Sequence, residues 1–385
     1  MAARNRKTIF HIDVNSAFLS WSAVKRLKED RDSVDLRTIP SAVAGDIDTR
    51  HGVITARSIP AKKYGVLTGE PVVKALTKCP ELTIVKPDFA TYKRYSAAMM
   101  KILKTYTSFV EQASIDEAYL DMTGTESIYT AAEDEDAFPL NVATTLKNEI
   151  RNTLGFTVNV GISTNKLLAK MASDFEKPDR IHTLYPEEVE EKLWPLPIER
   201  LYGCGEATAE KLRSLGVRTI GDAALIDEAV LQSHLGNKAG AYIVRSANGV
   251  SDTEVAQARE DAKGYSNEVT LPHDITTDTY DEEAPAVLHA LCEKVAQRLA
   301  ADEVYAQTIG VQIKTDRFVR HSRQMKLADS TNKTDTIYEI ASLLMKRLLF
   351  GEQGVFSRNS KIRLIGVSAT RLDKGLYRQM SLFDL

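Results

Sequence analysis

Asp116 and Glu117 stand side by side in the stretch SIDEAYLD, residues 114–121, which otherwise has the composition of a half-buried strand and closes on a third acid, Asp121. A further acid, Asp13, ends the apolar run TIFHIDV at residues 8–14. Burying a carboxylate is costly unless it is paired or coordinates a metal, and carboxylates held close together repel unless a cation neutralises them. Hard divalent ions, Mg²⁺ above all, take oxygen ligands of this type. Two such ions clamp the attacking and leaving oxygens of an in-line phosphoryl displacement. The chemistry these acids point to is therefore phosphoryl transfer assisted by two Mg²⁺ ions. Parity adds a condition: neighbours in a regular strand face opposite sides, so Asp116 and Glu117 reach one metal cluster only if a turn falls between them. Asp121, further along the strand, reads as structural.

Cations are the second ingredient. In GISTNKLLAKMASDFEKPD, residues 161–179, helical spacing puts Leu168, Met171, Ala172 and Phe175 on one face and Lys166, Lys170, Ser173 and Lys177 on the other. Lys166 and Lys170 read as a solvated basic face. Lys177, beside Pro178, is placed to project toward a triphosphate. The stretch RSIPAKKYG, residues 57–65, supplies a second cationic group in Arg57, Lys62 and Lys63. Gly203-Cys204-Gly205 has no strand before it and so is no dinucleotide loop. With residues 201–224 it reads as helix, glycine hairpin, helix, a unit that offers backbone N–H groups to a DNA phosphate. Residues 314–326 carry Lys314, Arg317, Arg320, Arg323 and Lys326 against one acid, Asp316, and Arg358, Lys361, Arg363 and Arg371 follow. On adjacent strands these would form one phosphate-tracking face. The end of the chain, RQMSLFDL, carries Met380, Leu382, Phe383 and Leu385 where a terminus is ordinarily polar, the pattern of a peptide that docks in a partner's groove.

The elements that must position these residues follow from the whole chain. Its 385 residues exceed one ordinary core and call for roughly two to four domains. With 43% hydrophobic and 27% charged residues a packed core is feasible, and a net charge of −3 excludes a basic nucleic-acid binder as a whole. Cys79, Cys204 and Cys292 are scattered, without the CxxC spacing of a zinc site or a disulfide framework. The start, MAARNRKTIF, lacks a signal peptide's apolar core, and no apolar run nears the ~20 residues of a membrane span. The expectation is a cytoplasmic, monomeric protein with no membrane association.

Residues 8–14 predict a buried strand, and SAFLSWSAVKRL an amphipathic helix with Ser16 at its N-cap. Residues 43–60 are rich in strand and turn formers. A helical pattern runs from Thr91 to Val110 into the SIDE strand, residues 131–138 read as a solvated acidic connection, and helix (140–154), strand and a helix stopped by Pro178 follow. That order is a ferredoxin-like βαββαβ core with an insertion, which makes the Asp13 strand and the SIDE hairpin neighbours. Residues 185–250 read as short helices with Gly turns, 254–264 as a charged linker, and 265–372 as a separate α+β domain with helices at 284–301 and 333–349.

Taken together, FHIDVNSAF, ASIDEAYLD, VGISTNKLLAKMASDFEKP and the hairpin at 201–224 resemble the Y-family (translesion) DNA polymerases, in the branch of bacterial DNA polymerase IV and UmuC-like proteins. The resemblance covers nearly the whole chain in order. It implies an α+β multidomain fold: a palm of residues 1–16 and 88–184, fingers of 17–87, a thumb of 185–253 with the helix-hairpin-helix, a linker of 254–264, a little finger of 265–374 and a clamp-binding tail of 375–385. It implies that Asp13, Asp116, Glu117 and the Val14 carbonyl hold two Mg²⁺ ions, that Phe18 blocks the ribonucleotide 2′-OH, and that Lys177 contacts the triphosphate. It also implies primer-template DNA and dNTP as substrates and a sliding clamp bound through Gln379, Leu382 and Phe383. One departure stands out. Where the family carries a YEAR-like Tyr and Arg, this chain has SIPAKKYG, with Ile59 and Lys62. Lys62 keeps the charge of the Arg but not its bidentate fork.

The function this implies is template-directed synthesis past lesions, without a proofreading nuclease, because no second acid-rich domain is present. Two rivals stand beside it. A nucleotidyl cyclase uses a similar palm, and would form cyclic nucleotide from NTP without DNA. A non-catalytic DNA- or clamp-binding accessory protein would show no Mg²⁺-dependent extension.

Overall fold

The computed structural model describes residues 6–46, 52–129, 138–256 and 261–374. The chain divides into two compact units, residues up to 259 (less 46–52) and residues from 260 on. The first unit begins with β1 (Ile9–Val14) and α1 (Ala17–Glu29). An insertion follows: β2 (Ser41–Ala44), β3 (Ile54–Arg57), α2 (Ile59–Lys63), α3 (Val72–Lys78) and β4 (Thr83–Val85). The chain then returns through α4 (Phe89–Tyr106), β5 (Val110–Gln112), β6 (Glu117–Asp121), α5 (Glu126–Tyr129), α6 (Phe138–Leu154), β7 (Val158–Ser163), α7 (Lys166–Ser173) and β8 (Ile181–Thr183).

The main sheet has the order β5-β6-β1-β7-β8. Its first four strands are the ferredoxin-like arrangement expected from the sequence, with β1 antiparallel to both β6 and β7. One face, carrying Phe10, Ile12, Val14, Leu120 and Val160, packs against α1, α4 and α6 through Trp21, Tyr92, Met99 and Leu146. The other face is covered by α7. Close approach there requires Gly161, because a Cβ at that position would lie 1.9 Å from the Ala169 carbonyl oxygen. The insertion forms a small three-stranded sheet, β3-β2-β4, with its own core. α1 serves both: Ala17, Trp21 and Val24 join the main core while Leu19 and Ala23 pack against Leu36 and Val43.

Two helix limits differ from the sequence pattern. α4 stops at Tyr106, short of Val110, because Thr107 turns extended and Val110 opens β5. α7 stops at Ser173, well before Pro178, although Asn165 caps it as a start signal should, accepting from the Leu168 N–H. The residue before a proline is steered away from helical dihedrals.

Beyond β8, α8 (Glu206–Ser214), α9 (Ile220–Leu225), α10 (Glu228–Leu235) and α11 (Asn237–Ala247) pack with Leu167, Leu168 and Met171 of α7 around one core. The element before the Gly203 hairpin is a single 3₁₀ turn, Ile198–Arg200, rather than an α-helix. Of the charged linker, Val255 is buried with Ile9, Tyr119 and Ala169, and the Ala256 N–H donates to Glu111.

The second unit contains β9 (Gly264–Ile275), α12 (Tyr280–Ala301), β10 (Tyr305–Thr315), β11 (Arg320–Thr331), α13 (Thr334–Leu349) and β12 (Ile362–Asp373). The antiparallel order is β11-β10-β12-β9, with both helices packed on one face through Leu291, Val295, Leu344 and Met345.

Candidate active site

The two acid motifs meet at the edge where β1 and β6 pair. Asp13 lies directly opposite Glu117, so their side chains share one face of the sheet. The Val14 N–H donates to the Asp116 carbonyl (3.1 Å). The turn that parity demanded is built by Ser114: its Oγ accepts from the Asp116 N–H (3.2 Å) and the Glu117 N–H (3.0 Å) and donates to the Asp116 carboxylate (2.6 Å). Asp116 therefore sits on the turn and Glu117 opens β6. Asp121 ends that strand and pairs with Lys7 (3.3 Å).

A cavity of about 280 Å³ is lined by Asp13, Val14, Phe18, Asp116, Lys62 and Lys177, together with Ser16, Ala17 and Arg57. Six of the expected residues thus share one space; Glu117 stands beside it, opposite Asp13. Ser16 holds the N-cap position of α1, but with left-handed dihedrals (φ 49°, ψ 53°) and no cap bond from its side chain. The first-turn N–H groups of a helix lack partners within it, and here they belong to residues that line the cavity. Phe18 is fixed by stacking on Tyr92 (centroids 4.7 Å apart, planes at 11°), by an edge contact with Phe89 and by a tilted contact with Trp21.

Each acid already has a cation or donor. Asp13 is buried and hydrogen-bonded to Lys177. Burial pushes its carboxyl up, and Lys177 pulls it back only in part. For Lys177, burial works downward, but Asp13 and then Asp174 (2.8 Å) outweigh it and hold the ammonium above its usual range. Glu117 is held at about 2 by the His11 imidazole (3.9 Å away) and by Lys170 (2.6 Å). His11 is fully buried, which pushes its imidazole down, and its Nδ1 lies 2.8 Å from Ser173 Oγ. Among the described residues no three His, Cys, Asp or Glu side chains converge as a ready-made metal cluster. The donor set nevertheless has the chemistry of a divalent-cation site: hard oxygens only, one of them on a desolvated carboxylate whose charge an ammonium now balances.

Because the Glu117 carboxyl is depressed from 4.5 to about 2, it contributes stability that is complete above pH 4.5 and is lost as pH falls through about 2. Glu117→Gln should therefore flatten the pH dependence of the urea midpoint over that window. An unchanged slope would contradict the assignment.

Lys170 departs from the sequence reading. It is buried, ion-paired to Glu117, and 5.3 Å from the Tyr202 ring, so it is no solvated face. Lys166 likewise pairs with Glu111 (2.8 Å). The signal was the run of small residues, Gly161, Ala169, Ala172 and Ser173, which lets α7 pack tightly on the sheet. His11 and Ser173 were also missed; strand alternation places His11 on the same face as Asp13.

Of the two hairpin glycines, Gly203 is the one whose place demands glycine. Gly203 has φ +84°, and a Cβ there would lie 2.6 Å from the Tyr242 hydroxyl. Gly205 is the N-cap of α8, without a side-chain cap and with open space around it.

The basic stretch does not form one face. Arg317 lies in the turn before β11. Arg320 is opposite Lys314, bonds Gln312 (3.1 Å) and pairs with Glu268 (3.2 Å), all on the helix-free face. Arg323 is opposite Val311, whose side chain is in the helix-side core. Residues three apart on a strand point opposite ways, and Lys314, Arg320 and Lys326 are the set that shares a face. Gln379, Leu382 and Phe383 lie outside the described residues. Among the described residues no helix is long and apolar enough to cross a membrane.

Comparison with known proteins gives a concordant result along the chain. The model of the impB/mucB/samB family matches residues 12–174, that of the family's HHH motif residues 186–217, and that of its C-terminal domain residues 262–382. DNA polymerase IV of Clostridium acetobutylicum is 41% identical over 98% of this chain and 90% of its own length. DNA polymerase IV of Bacillus velezensis is 36% identical over 100% and 87%, and DNA polymerase IV 1 of Bacillus subtilis 35% over 98% and 86%. A solved Y-family DNA polymerase chimera of Dbh and Dpo4 superposes with a TM-score of 0.77 at 23% identity, over 94% of this chain and 98% of that one.

Proposed function

The chain belongs to the impB/mucB/samB family of Y-family DNA polymerases, and from that premise we propose that the cavity between β1, β6 and the inserted segment is where it transfers a nucleotide to a primer end opposite a template, lesions included. The enzyme is a DNA-directed DNA polymerase acting in translesion synthesis, which sets aside the cyclase and accessory-protein readings. The observation that carries the site is the placement of Asp13 opposite Glu117 with Asp116 on the connecting turn, in reach of Lys62, Lys177 and Phe18.

The family works with divalent metal. In this chain Asp13, Asp116, Glu117 and the Val14 carbonyl would hold two Mg²⁺ ions. When bound, the ions supply charge stabilisation to the attacking and leaving oxygens of the displacement. The protein's part is positioning. Lys177 and Lys62 balance triphosphate charge, the open first turn of α1 offers N–H groups to the same anion, and Phe18 stands against the sugar. Lys177 is already bonded to Asp13; on substrate binding the ammonium would turn to the triphosphate, and the freed carboxylate would be available to hold a cation.

Within the same proposal, residues 1–16 with 88–184 act as palm, 17–87 as fingers, 185–253 as thumb and 265–374 as little finger. Gly203 and Gly205 present backbone to duplex phosphates. Arg317 and Arg320 track the strand, with Arg323 contributing from the other face of β11. The polymerase is a cytoplasmic monomer without proofreading, and it binds a sliding clamp through Gln379, Leu382 and Phe383. Primer extension on damaged and undamaged templates, with and without clamp, tests this. Deleting residues 379–385 should abolish stimulation by clamp and leave basal extension within about twofold. Stimulation that survives the deletion would remove the tail from the account.

A further inference from the structure

The nucleotide cavity has a neighbour. A second cavity of about 290 Å³ is lined by Arg37, Ser58, Ile59 and Thr157. Ser16, Lys62 and Lys177 line both spaces, so the two adjoin along the cation pair. Their characters differ. The first contains Asp13 and Asp116; among the described residues no carboxylate lines the second.

Polarity follows from the placement of the residues. A nucleotide with its sugar at Phe18 and its reacting phosphate at Asp13 and Asp116 directs its phosphate chain toward Lys62 and Lys177, and the second cavity lies across that shared wall. At ~30 Å³ for each water displaced, it has room for about ten waters, or for further phosphoryl groups. Lys62 adds an independent observation. Its ammonium has no hydrogen-bond or ion-pair partner among the described residues, and desolvation, then Arg57 and Lys177, push it below its usual range. Lys177 is paired with Asp13 and Asp174, and Arg37 with Asp35, so Lys62 is the cation left to favour a ligand of high negative charge. Ile59 lines the space from a partly exposed position.

We propose that this second cavity is a terminal-phosphate chamber, and that the enzyme accepts deoxynucleoside tetra- and pentaphosphates as substrates. This rests on the polymerase reading of the adjoining site. In the step, the primer 3′-oxygen bonds to the α-phosphorus and the bond from that phosphorus to the α–β bridging oxygen breaks. The electron pair leaves with tri- or tetraphosphate in place of pyrophosphate, and the 3′-hydroxyl proton passes to water. Extra phosphates meeting Lys62 and the chamber's donors strengthen binding without altering the reacting centre, so the gain falls on KM rather than kcat.

The test compares single-nucleotide extension by the full chain with dTTP and with deoxythymidine tetraphosphate. The expected KM for the tetraphosphate is roughly three- to tenfold lower at similar kcat, the size of one charge-assisted contact at a partly solvated site. Ile59→Trp fills the chamber from a half-exposed position, and Ile59→Phe fills it less. Both should keep extension with dTTP and erase the tetraphosphate's advantage, the Trp variant fully and the Phe variant in part. Equal or weaker use of the tetraphosphate by the unmodified protein would overturn the chamber, as would an advantage that persists in Ile59→Trp. Absence of extension with either nucleotide would overturn the polymerase reading itself, and the chamber with it.

Discussion

Asp116→Ala should abolish primer extension, by at least about 10³-fold in single-turnover rate, and leave the protein folded and bound to DNA. Charge stabilisation at the reacting phosphate is worth several kcal/mol, and each ~1.4 kcal/mol is tenfold in rate. The structural price is small because Asp116 sits half-exposed on a turn, and its side chain bonds only Ser114. The backbone bonds of that turn come from Ser114 Oγ and remain. A change in unfolding free energy below about 1 kcal/mol is therefore expected, measured by urea titration beside the extension assay. Asp13→Ala should lose as much activity but destabilise as well, since it strands Lys177 without its main partner. Asp116 is the cleaner probe because its chemistry and its packing separate. Retained extension in Asp116→Ala would remove the acid cluster from the mechanism.

The second large effect is in sugar selection. Phe18→Ala should admit ribonucleotides, with the dNTP-over-rNTP preference in kcat/KM falling about 10–100-fold. A ring forced against an extra hydroxyl costs ~1–3 kcal/mol only if the ring cannot move aside. Here it cannot readily move: Tyr92 lies flat beneath Phe18, Phe89 packs edge-on and Trp21 at a tilt. The same packing sets the cost of truncation. Phe18 is half-exposed, so a loss of about 1–2 kcal/mol is expected, below the 3–5 of a fully buried ring. Phe18→Leu should fall between the two in both selectivity and stability. Unchanged discrimination in Phe18→Ala would end the steric role.

Much of the site was legible because its signals are local. Asp13 ends an apolar run, Asp116 and Glu117 are adjacent, and the strand alternation rule alone required a turn that Ser114 supplies. The alternating and helical patterns of residues 264–373 likewise mark their elements, since each strand and helix there has one buried face. What escaped depends on contacts distant in sequence. Lys170 belongs to a helix whose two faces both look plausible outward; only the packing of α7 on Gly161 decides that its ammonium meets Glu117. Arg320 and Arg323 stand three apart on one strand, and parity alone separates their side chains. The end of α4 at Tyr106 depends on Val110 pairing with Leu120, a tertiary event that overrides a helical run. The space beside Ile59 is walled by residues far apart in the chain, from Ser16, Arg37 and Lys62 to Thr157 and Lys177, and no single stretch encodes it.

In the proposed reaction, the cavity between β1, β6 and the insertion is where a nucleotide joins a primer. The most direct test is rapid-quench extension of a primer on a template carrying an abasic site, with one dNTP, with Mg²⁺ or with EDTA, for the unmodified chain and for Asp116→Ala. The expected result is one-nucleotide extension that requires Mg²⁺ and disappears in Asp116→Ala while DNA affinity stays within about twofold. Extension that survives in Asp116→Ala, or DNA bound by the unmodified chain and never extended, would contradict it.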